Sequence, residues 1–425
     1  MPRSRRKGHE QDVEKLVREL ESASGVGTQD IGEAGLDKNP IIKITKVVLQ
    51  GALERRASEI HIEPMTKGVR VRCRIDGILH EIFSMPRYVH APLASRIKVM
   101  AEMNMAERRI PQTGQIHVRF GDTDFTLDVS TIPTTLGEKF AISVSAKKDA
   151  LIGLDNLGME PAQLQALRDL AQSRSGLIVV CGPRDSGRTS TTYSLLAELN
   201  TVERQIVTIE DLVACGLPGV NQVHVNRLAG LGYLAALDAF SMQGADVIML
   251  DLIDGPNTAN AVLGAAQDRL VIAGMNSEST VESLINLVEM RVDPWLMASG
   301  IRGIISQRLA RRICDKCKQD DDPPLEVLTA LGIGEEIINK PDGGKIAYFH
   351  RGVGCDSCRQ TGCSGQIGLF ELSGMSPDLR ARIGTEVDLN DAAKEAIAGP
   401  NLRQDAAAKV FSGIISAEEA VRAVS

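Results

Sequence analysis

Cys181-Gly182-Pro183-Arg184-Asp185-Ser186-Gly187-Arg188-Thr189 lies between an apolar run at 177–180 and a helix-like stretch at 190–200. Strand, glycine loop and helix follow one another in the order a phosphate-binding loop requires, and the spacing G-x-x-x-x-G-[K/R]-[S/T] is kept. In such a loop, backbone N–H groups and the helix N-terminus wrap the phosphates. A lysine reaches the outer phosphates and a Ser/Thr hydroxyl holds Mg²⁺. The candidate nucleotide-binding residues are therefore Gly182, Pro183, Ser186, Gly187, Arg188, Thr189 and Ser190, with Thr189 as the Mg²⁺ ligand for ATP. Arg188 stands where the lysine belongs. It keeps the charge but carries it on a planar fork instead of a compact ammonium. Asp185 adds a negative charge to a loop that should cradle a polyanion. Two unit charges about 4 Å apart interact by about 4 kcal/mol at the effective dielectric of a partly buried site, before salt and Mg²⁺ reduce it.

The remaining composition narrows the class. The chain has 425 residues, enough for two or three domains, and 43% of them are hydrophobic. The formal charge is −7, from 48 basic and 55 acidic residues, which argues against a nucleic-acid binder. Aromatics are only 3%, so stacking platforms for bases are not expected. No apolar run approaches the roughly 20 residues of a membrane span. The basic start MPRSRRKGHE has no apolar stretch behind it and does not read as a secretory signal. It fits a solvated arm, with a weak anchor for anionic lipid as the alternative. Eight cysteines without a signal point to reduced thiols or metal ligands and a cytoplasmic location.

Along the chain, residues 1–38 read as a flexible N-terminal segment, with one short helix at 12–22. Asn39-Pro40 suits a helix start: Asn caps and Pro fits the first turn. Ile41, Ile44, Val48 and Ala52 follow at helical spacing. Strand-like pieces at 59–62, 69–75 and 78–83 come next, the last two joined by a tight turn at Asp76-Gly77. A helix at 91–105 and three more strands complete an α+β domain over 39–150. After a linker at 151–159, helices alternate with short apolar strands at 177–181, 205–209, 247–250 and 270–273. That alternation predicts a mostly parallel α/β sheet over 151–425. The basic run 308–312 reads as part of a helix, used at a domain or subunit boundary.

Cys314-Asp315-Lys316-Cys317 and Cys355-Asp356-Ser357-Cys358 form two C-x-x-C pairs separated by 37 residues. Each pair can offer two thiolates to one tetrahedral Zn²⁺, and Cys314, Cys317, Cys355 and Cys358 together close its shell. Cys363 is a spare thiol nearby. Cys73, Cys181 and Cys215 lie in apolar contexts and read as core residues.

Several blocks closely resemble the type II secretion and type IV pilus assembly ATPases. They include Ala57-Ser58-Glu59-Ile60-His61-Ile62-Glu63-Pro64 and Val69-Arg70-Val71-Arg72-Cys73-Arg74-Ile75-Asp76-Gly77. Ala106-Glu107-Arg108-Arg109-Ile110-Pro111-Gln112, Thr208-Ile209-Glu210-Asp211 and Gln307-Arg308-Leu309-Ala310-Arg311-Arg312 continue the match in order to the C-terminus. The resemblance implies a RecA-like P-loop core over 151–425 behind an N-terminal α+β (PAS-like) domain. It implies a tetracysteine zinc subdomain at 305–372, a feature of assembly and secretion members more than retraction members, and C-terminal helices at 373–425. It further implies a hexameric ring, nucleotide at the domain boundary, and work at the cytoplasmic face of the inner membrane on secretion or pilus platform proteins. Longer members carry a further N-terminal domain that docks on an inner-membrane partner; with about 38 residues ahead of the matching part here, that docking mode is not carried over as an expectation.

Measured against that family, the motor positions are broken. The loop G-P-T-G-S-G-K-T-T here carries Arg184, Asp185 and Arg188. The second strand of the site, D-V-I-M-V-G-E-I-R-D, reads Asp246-Val247-Ile248-Met249-Leu250-Asp251-Leu252-Ile253-Asp254-Gly255. Leu252 replaces the glutamate, and Asp251, one residue early, is a poor substitute because adjacent strand residues face opposite ways. Asn276 takes the place of a histidine. Ala235, Asp238 and Met242 stand at three arginine positions, and Asp128 and Ser143 at two others. Arginines supply much of the charge stabilisation in phosphoryl transfer. Glu210 remains as the one catalytic candidate, with a structural carboxylate as its alternative role. The expectation is an auxiliary or regulatory subunit with weak nucleotide binding, in a homo-oligomeric ring or one shared with an intact paralogue. The alternative is a slow ATPase.

Overall fold

A computed structural model describes residues 39–75, 77–121, 123–146, 151–334, 349–383 and 400–425. The helix expected at 12–22 lies outside the described residues. The chain divides into two compact units at Asp149 and Ala150.

In the first unit, α1 (Pro40–Glu54) opens as the sequence suggests: the Asn39 side chain accepts from the Ile41 N–H at 3.0 Å. Its apolar stripe, Ile44, Val48 and Ala52, is buried. The strands are β1 (Glu59–Pro64), β2 (Gly68–Ile75), β3 (Ile78–Pro86), β4 (Gln112–Phe120), β5 (Thr123–Thr134) and β6 (Gly137–Ala146). They form one antiparallel sheet in the order β3-β2-β1-β6-β5-β4. Strict alternation along β2 buries Val69, Val71, Cys73 and Ile75 and leaves Arg70, Arg72 and Arg74 on the other face. The buried face packs with α1 and α2 (His90–Met100) into one core. Helix α2 stops at Met100 rather than at 105. The non-glycine residue Glu102 takes a left-handed φ of 56° just beyond the cap and turns the chain towards β4.

On the open face the family-signature arginines are paired. Arg72 donates to Glu63 at 2.7 and 2.9 Å and Arg70 at 3.1 Å, while Arg74 reaches Glu59 at 2.8 Å. Burial pushes the Glu63 carboxyl up, but Arg72 and Arg70 outweigh it and hold it below its ordinary value. Lys98, 1% exposed, bonds Glu138 and the Glu107 carbonyl. His61 bonds Glu59 at 2.7 Å within the same ladder, in an ordering role.

The second unit begins with a single 3₁₀ turn in the stretch expected as a linker. Leu154 and Leu157 there are buried, and the Leu157 carbonyl accepts from the Gly368 N–H. Its strands and helices run α3 (Pro161–Ala171), β7 (Gly176–Cys181), α4 (Arg188–Leu199), β8 (Ile206–Glu210), β9 (Asn221–His224), α5 (Tyr233–Met242), β10 (Val247–Leu250), α6 (Pro256–Ala265), β11 (Leu270–Met275), α7 (Thr280–Glu289), α8 (Pro294–Gly300) and β12 (Ile301–Ile313). There follow β13 (Lys318–Asp321), α9 (Leu325–Ala330), β14 (Phe349–Gly352), β15 (Cys363–Gly374), α10 (Pro377–Ile383), α11 (Leu402–Phe411) and α12 (Ala417–Val424).

The main sheet has the order β15-β12-β7-β11-β10-β8-β9, parallel except for the edge pair β12 and β15. Its central strands are buried on both faces, as unbroken apolar runs require. Leu177, Val179 and Cys181 of β7 face a core shared with α5, α6, α7 and α8. Ile178 and Val180 face a second core with α3 and α4. Arg308–Arg312 lie within β12, not in a helix: that strand is hydrogen-bonded to β7 along its first part and to β15 along most of its length. Local helix propensity is overridden there by pairing with β15, in a strand whose first part is also paired with β7.

Beyond β12, a fourth core joins Ala310, Phe349 and Leu369 to Leu402, Ala406 and Val410 of α11. Asp405 and Lys409 are buried within it, 2.6 Å apart, and Asp405 also accepts from the Phe370 N–H. Among the described residues no helix is long and apolar enough to cross a membrane.

Candidate functional site: a phosphate loop and a thiolate cluster

The loop 182–187 emerges from the end of β7, and α4 starts at Arg188. Gly187 precedes the helix with φ 88°, and no side chain caps its first N–H groups. Those donors are open to an anion. The loop rests on β12. A Cβ at Gly182 would stand 2.6 Å from the Gln307 carbonyl oxygen, and one at Gly187 2.7 Å from the Gln307 amide nitrogen. Gln307, 1% exposed, also accepts from the Thr191 hydroxyl at 2.7 Å. It thus holds loop and helix together, a contact the motif did not announce. Ser186 is buried, and its hydroxyl has no hydrogen-bond partner among the described residues. That orphaned oxygen, the two close approaches of glycine and the uncapped helix start suit an oxyanion, so the loop fits a nucleotide phosphate.

Pro183, Arg184, Asp185 and Thr189 are exposed, and Gly187, Arg188 and Ser190 half-buried. The Thr189 hydroxyl, in the first turn of α4, is accessible to a metal. Arg188 points one guanidinium arm at the scaffold: Nη1 donates to the Met275 carbonyl at 2.7 Å, at the end of β11. Burial pushes its pKa down. Asp185 adopts a left-handed φ of 62°, a conformation that glycine takes freely.

Glu210 and Asp251, at the ends of β8 and β10, are both hydrogen-bonded. Glu210, at the end of β8, is 1% exposed. It accepts from the Tyr193 hydroxyl, from Thr208 at 2.6 Å and from Gln222 at 3.2 Å. Burial raises its pKa against those three donors. Asp251 accepts from the Tyr233 hydroxyl at 2.5 Å and from the Asp211 N–H at 2.7 Å, and burial raises its pKa too. It thereby ties together the ends of β8, α5 and β10. Leu252 packs against the core. Asn276 is exposed, and so are Ala235, Asp238 and Met242 along α5. Asp128 pairs with Gln115 at 2.9 Å, opposite Ser143 in the register of β5 and β6.

The Sγ atoms of Cys314, Cys317, Cys355 and Cys358 lie within 4.8 Å of one another. Measured pairs are 3.9 Å for Cys314 and Cys355, and 3.7 Å for Cys317 with Cys358 and for Cys355 with Cys358. Four thiolates about 2.3 Å from a central Zn²⁺ would have edges of about 3.8 Å. The cluster therefore has the size of a tetrahedral sulfur cage and could hold a metal. The Cys355 N–H donates to Cys358 Sγ at 3.2 Å. Burial pushes the Cys358 thiol up, but the backbone N–H groups of Cys355 and Gly362 outweigh it and hold it at about 6. Cys363 lies at the start of β15, outside the four-sulfur group.

A parallel sheet with helices on both faces and a glycine loop between β7 and α4 defines a P-loop nucleotide-binding core. The chain matches the family described as Type II/IV secretion system protein over residues 34–422, and it belongs to that family. It is 33% identical to the type II secretion system protein E of Pseudomonas aeruginosa over 397 residues, covering 93% of this chain and 77% of that one. It is 35% identical to the type IV pilus assembly ATPase PilB of Acinetobacter baylyi over 395 residues, covering 92% and 67%. Among solved structures, the ATPase DotB of Legionella pneumophila superposes with a TM-score of 0.63 at 13% identity, over 88% of this chain and 93% of that one. The pilus retraction motor PilT with bound ADP gives 0.60 at 18% identity, over 88% and 95%. These two share the fold.

Proposed function

We propose that this protein is a degenerate member of the secretion and pilus assembly ATPases, acting as an auxiliary or regulatory ring subunit. It binds nucleotide weakly and does not turn it over. The observation that carries the reading is the engagement of the acidic groups. Glu210 is held by Tyr193, Thr208 and Gln222, Asp251 by Tyr233 and Asp211, and Leu252, half-buried, packs against the core. On this reading neither Glu210 nor Asp251 is free to orient the attacking water. Exposed α5 offers Ala235, Asp238 and Met242 where arginines would serve the phosphates. The ring is a hexamer of this chain or one shared with an intact paralogue. It sits at the cytoplasmic face of the inner membrane on secretion or pilus platform proteins. Cys314, Cys317, Cys355 and Cys358 hold one structural Zn²⁺.

The second reading, a slow ATPase, draws on the retained loop and the accessible Thr189 in the first turn of α4. Restoring the lost groups separates the two. Arg188→Lys or Leu252→Glu alone should leave turnover at background. The two together, with arginines at 235, 238 and 242, should raise it if the missing groups are what stops the motor. Substantial turnover by the parent chain would favour the slow enzyme.

A further inference from the structure

Within the loop, the exposed side chains Arg184 and Asp185 carry opposite charges, so the loop adds no net charge to that of Arg188 at the helix start. Asp251 and Asp185 both act electrostatically on Arg188. The backbone part of the cradle is intact: an uncapped helix start, Gly182 and Gly187 seated on Gln307, and the buried, unpartnered Ser186 hydroxyl. These serve the inner phosphates at the helix start. The outermost phosphate depends instead on the side chain at 188 and on a metal backed by an acidic residue. Here Arg188 donates to the Met275 carbonyl, and Leu252, which stands where the family resemblance puts the site's glutamate, packs against the core. Asp251 is occupied by Tyr233 and Asp211.

We infer that the loop is a nucleoside diphosphate site: it holds ADP in preference to ATP, and Mg²⁺ does not reverse that order. The inference rests on the reading of the chain as a nucleotide-binding subunit without turnover. It adds the ligand's phosphate number and the device that selects it. Asp185 is the selecting charge, because it lies in the loop itself and is exposed. Its charge acts most on the phosphate that the cradle does not neutralise.

The test is calorimetric titration of the full chain with ADP and with ATP, each in EDTA and in Mg²⁺. ADP should bind roughly tenfold tighter than ATP, about 1.4 kcal/mol. Asp185→Asn removes the charge and keeps a residue that tolerates the left-handed backbone. It should tighten ATP more than ADP and narrow the ratio. ATP binding as tightly as ADP, a reversal by Mg²⁺, an Asn variant that shifts both ligands equally, or no binding of either would overturn the inference. None of these outcomes touches the absence of turnover, which is read separately from phosphate release.

Discussion

Asp185 holds a left-handed φ of 62° in the middle of the phosphate loop, where a side chain adds strain and its charge repels phosphate. Replacement by Gly should relieve the strain and raise stability by up to about 1 kcal/mol, measured by urea unfolding. A loss of stability would mean that Asp185 makes a compensating contact. At this scale the sequence was informative about identity and silent about partners. The loop spacing and the loss of a carboxylate at Leu252 were legible, because both depend on residue type at fixed positions. The capture of Glu210 by Tyr193 was not, because the two residues sit on different elements and meet only when α4 packs on β8. For Asp251 the sequence offered only strand alternation as a reason to expect a poor stand-in, and its partners could not be read from it. Its carboxylate is spent on Tyr233 and the Asp211 N–H.

Among elements, the C-terminal segments depend on two polar devices. The first is the buried pair of Asp405 and Lys409 on α11, tied to β15 through the Phe370 N–H. Asp405→Ala should destabilise by about 3–5 kcal/mol by leaving a buried cation unpaired, and adding Lys409→Met should recover much of it. Urea unfolding of the single and double variants measures both effects; equal loss in the two would assign the damage to the Phe370 N–H instead. The second device is the four-cysteine cage. Purified protein should carry close to one zinc by elemental analysis, and Cys355→Ser should release it. Limited proteolysis should then cut within 314–372 before the core, as a metal that closes a loop poor in apolar residues also folds it. Metal-free protein with an equally protected segment would contradict the structural role. The cysteine spacing announced this cage, since C-x-x-C pairs fix ligand geometry locally. The strand character of 308–312 was hidden, because basic residues on β12 satisfy no simple apolar alternation and the strand exists through pairing with β7 and β15.

On the proposed reading, the whole molecule combines the family's scaffold with a reaction centre that has lost its working groups. Two units keep the family's sheets, the ladder of Arg70, Arg72 and Arg74 with Glu59 and Glu63, and the P-loop backbone. The groups changed are those that the family resemblance assigns to the outer phosphate and the attacking water. A single such change could be absorbed by a neighbour; on the proposed reading the joint change at 188, 252 and the α5 positions removes charge stabilisation and water activation together. The most direct measurement is steady-state phosphate release by the full chain with ATP and Mg²⁺, beside the Thr189→Ala variant. The account predicts the same background rate for both. Release well above background by the wild-type chain and abolished by Thr189→Ala would contradict it.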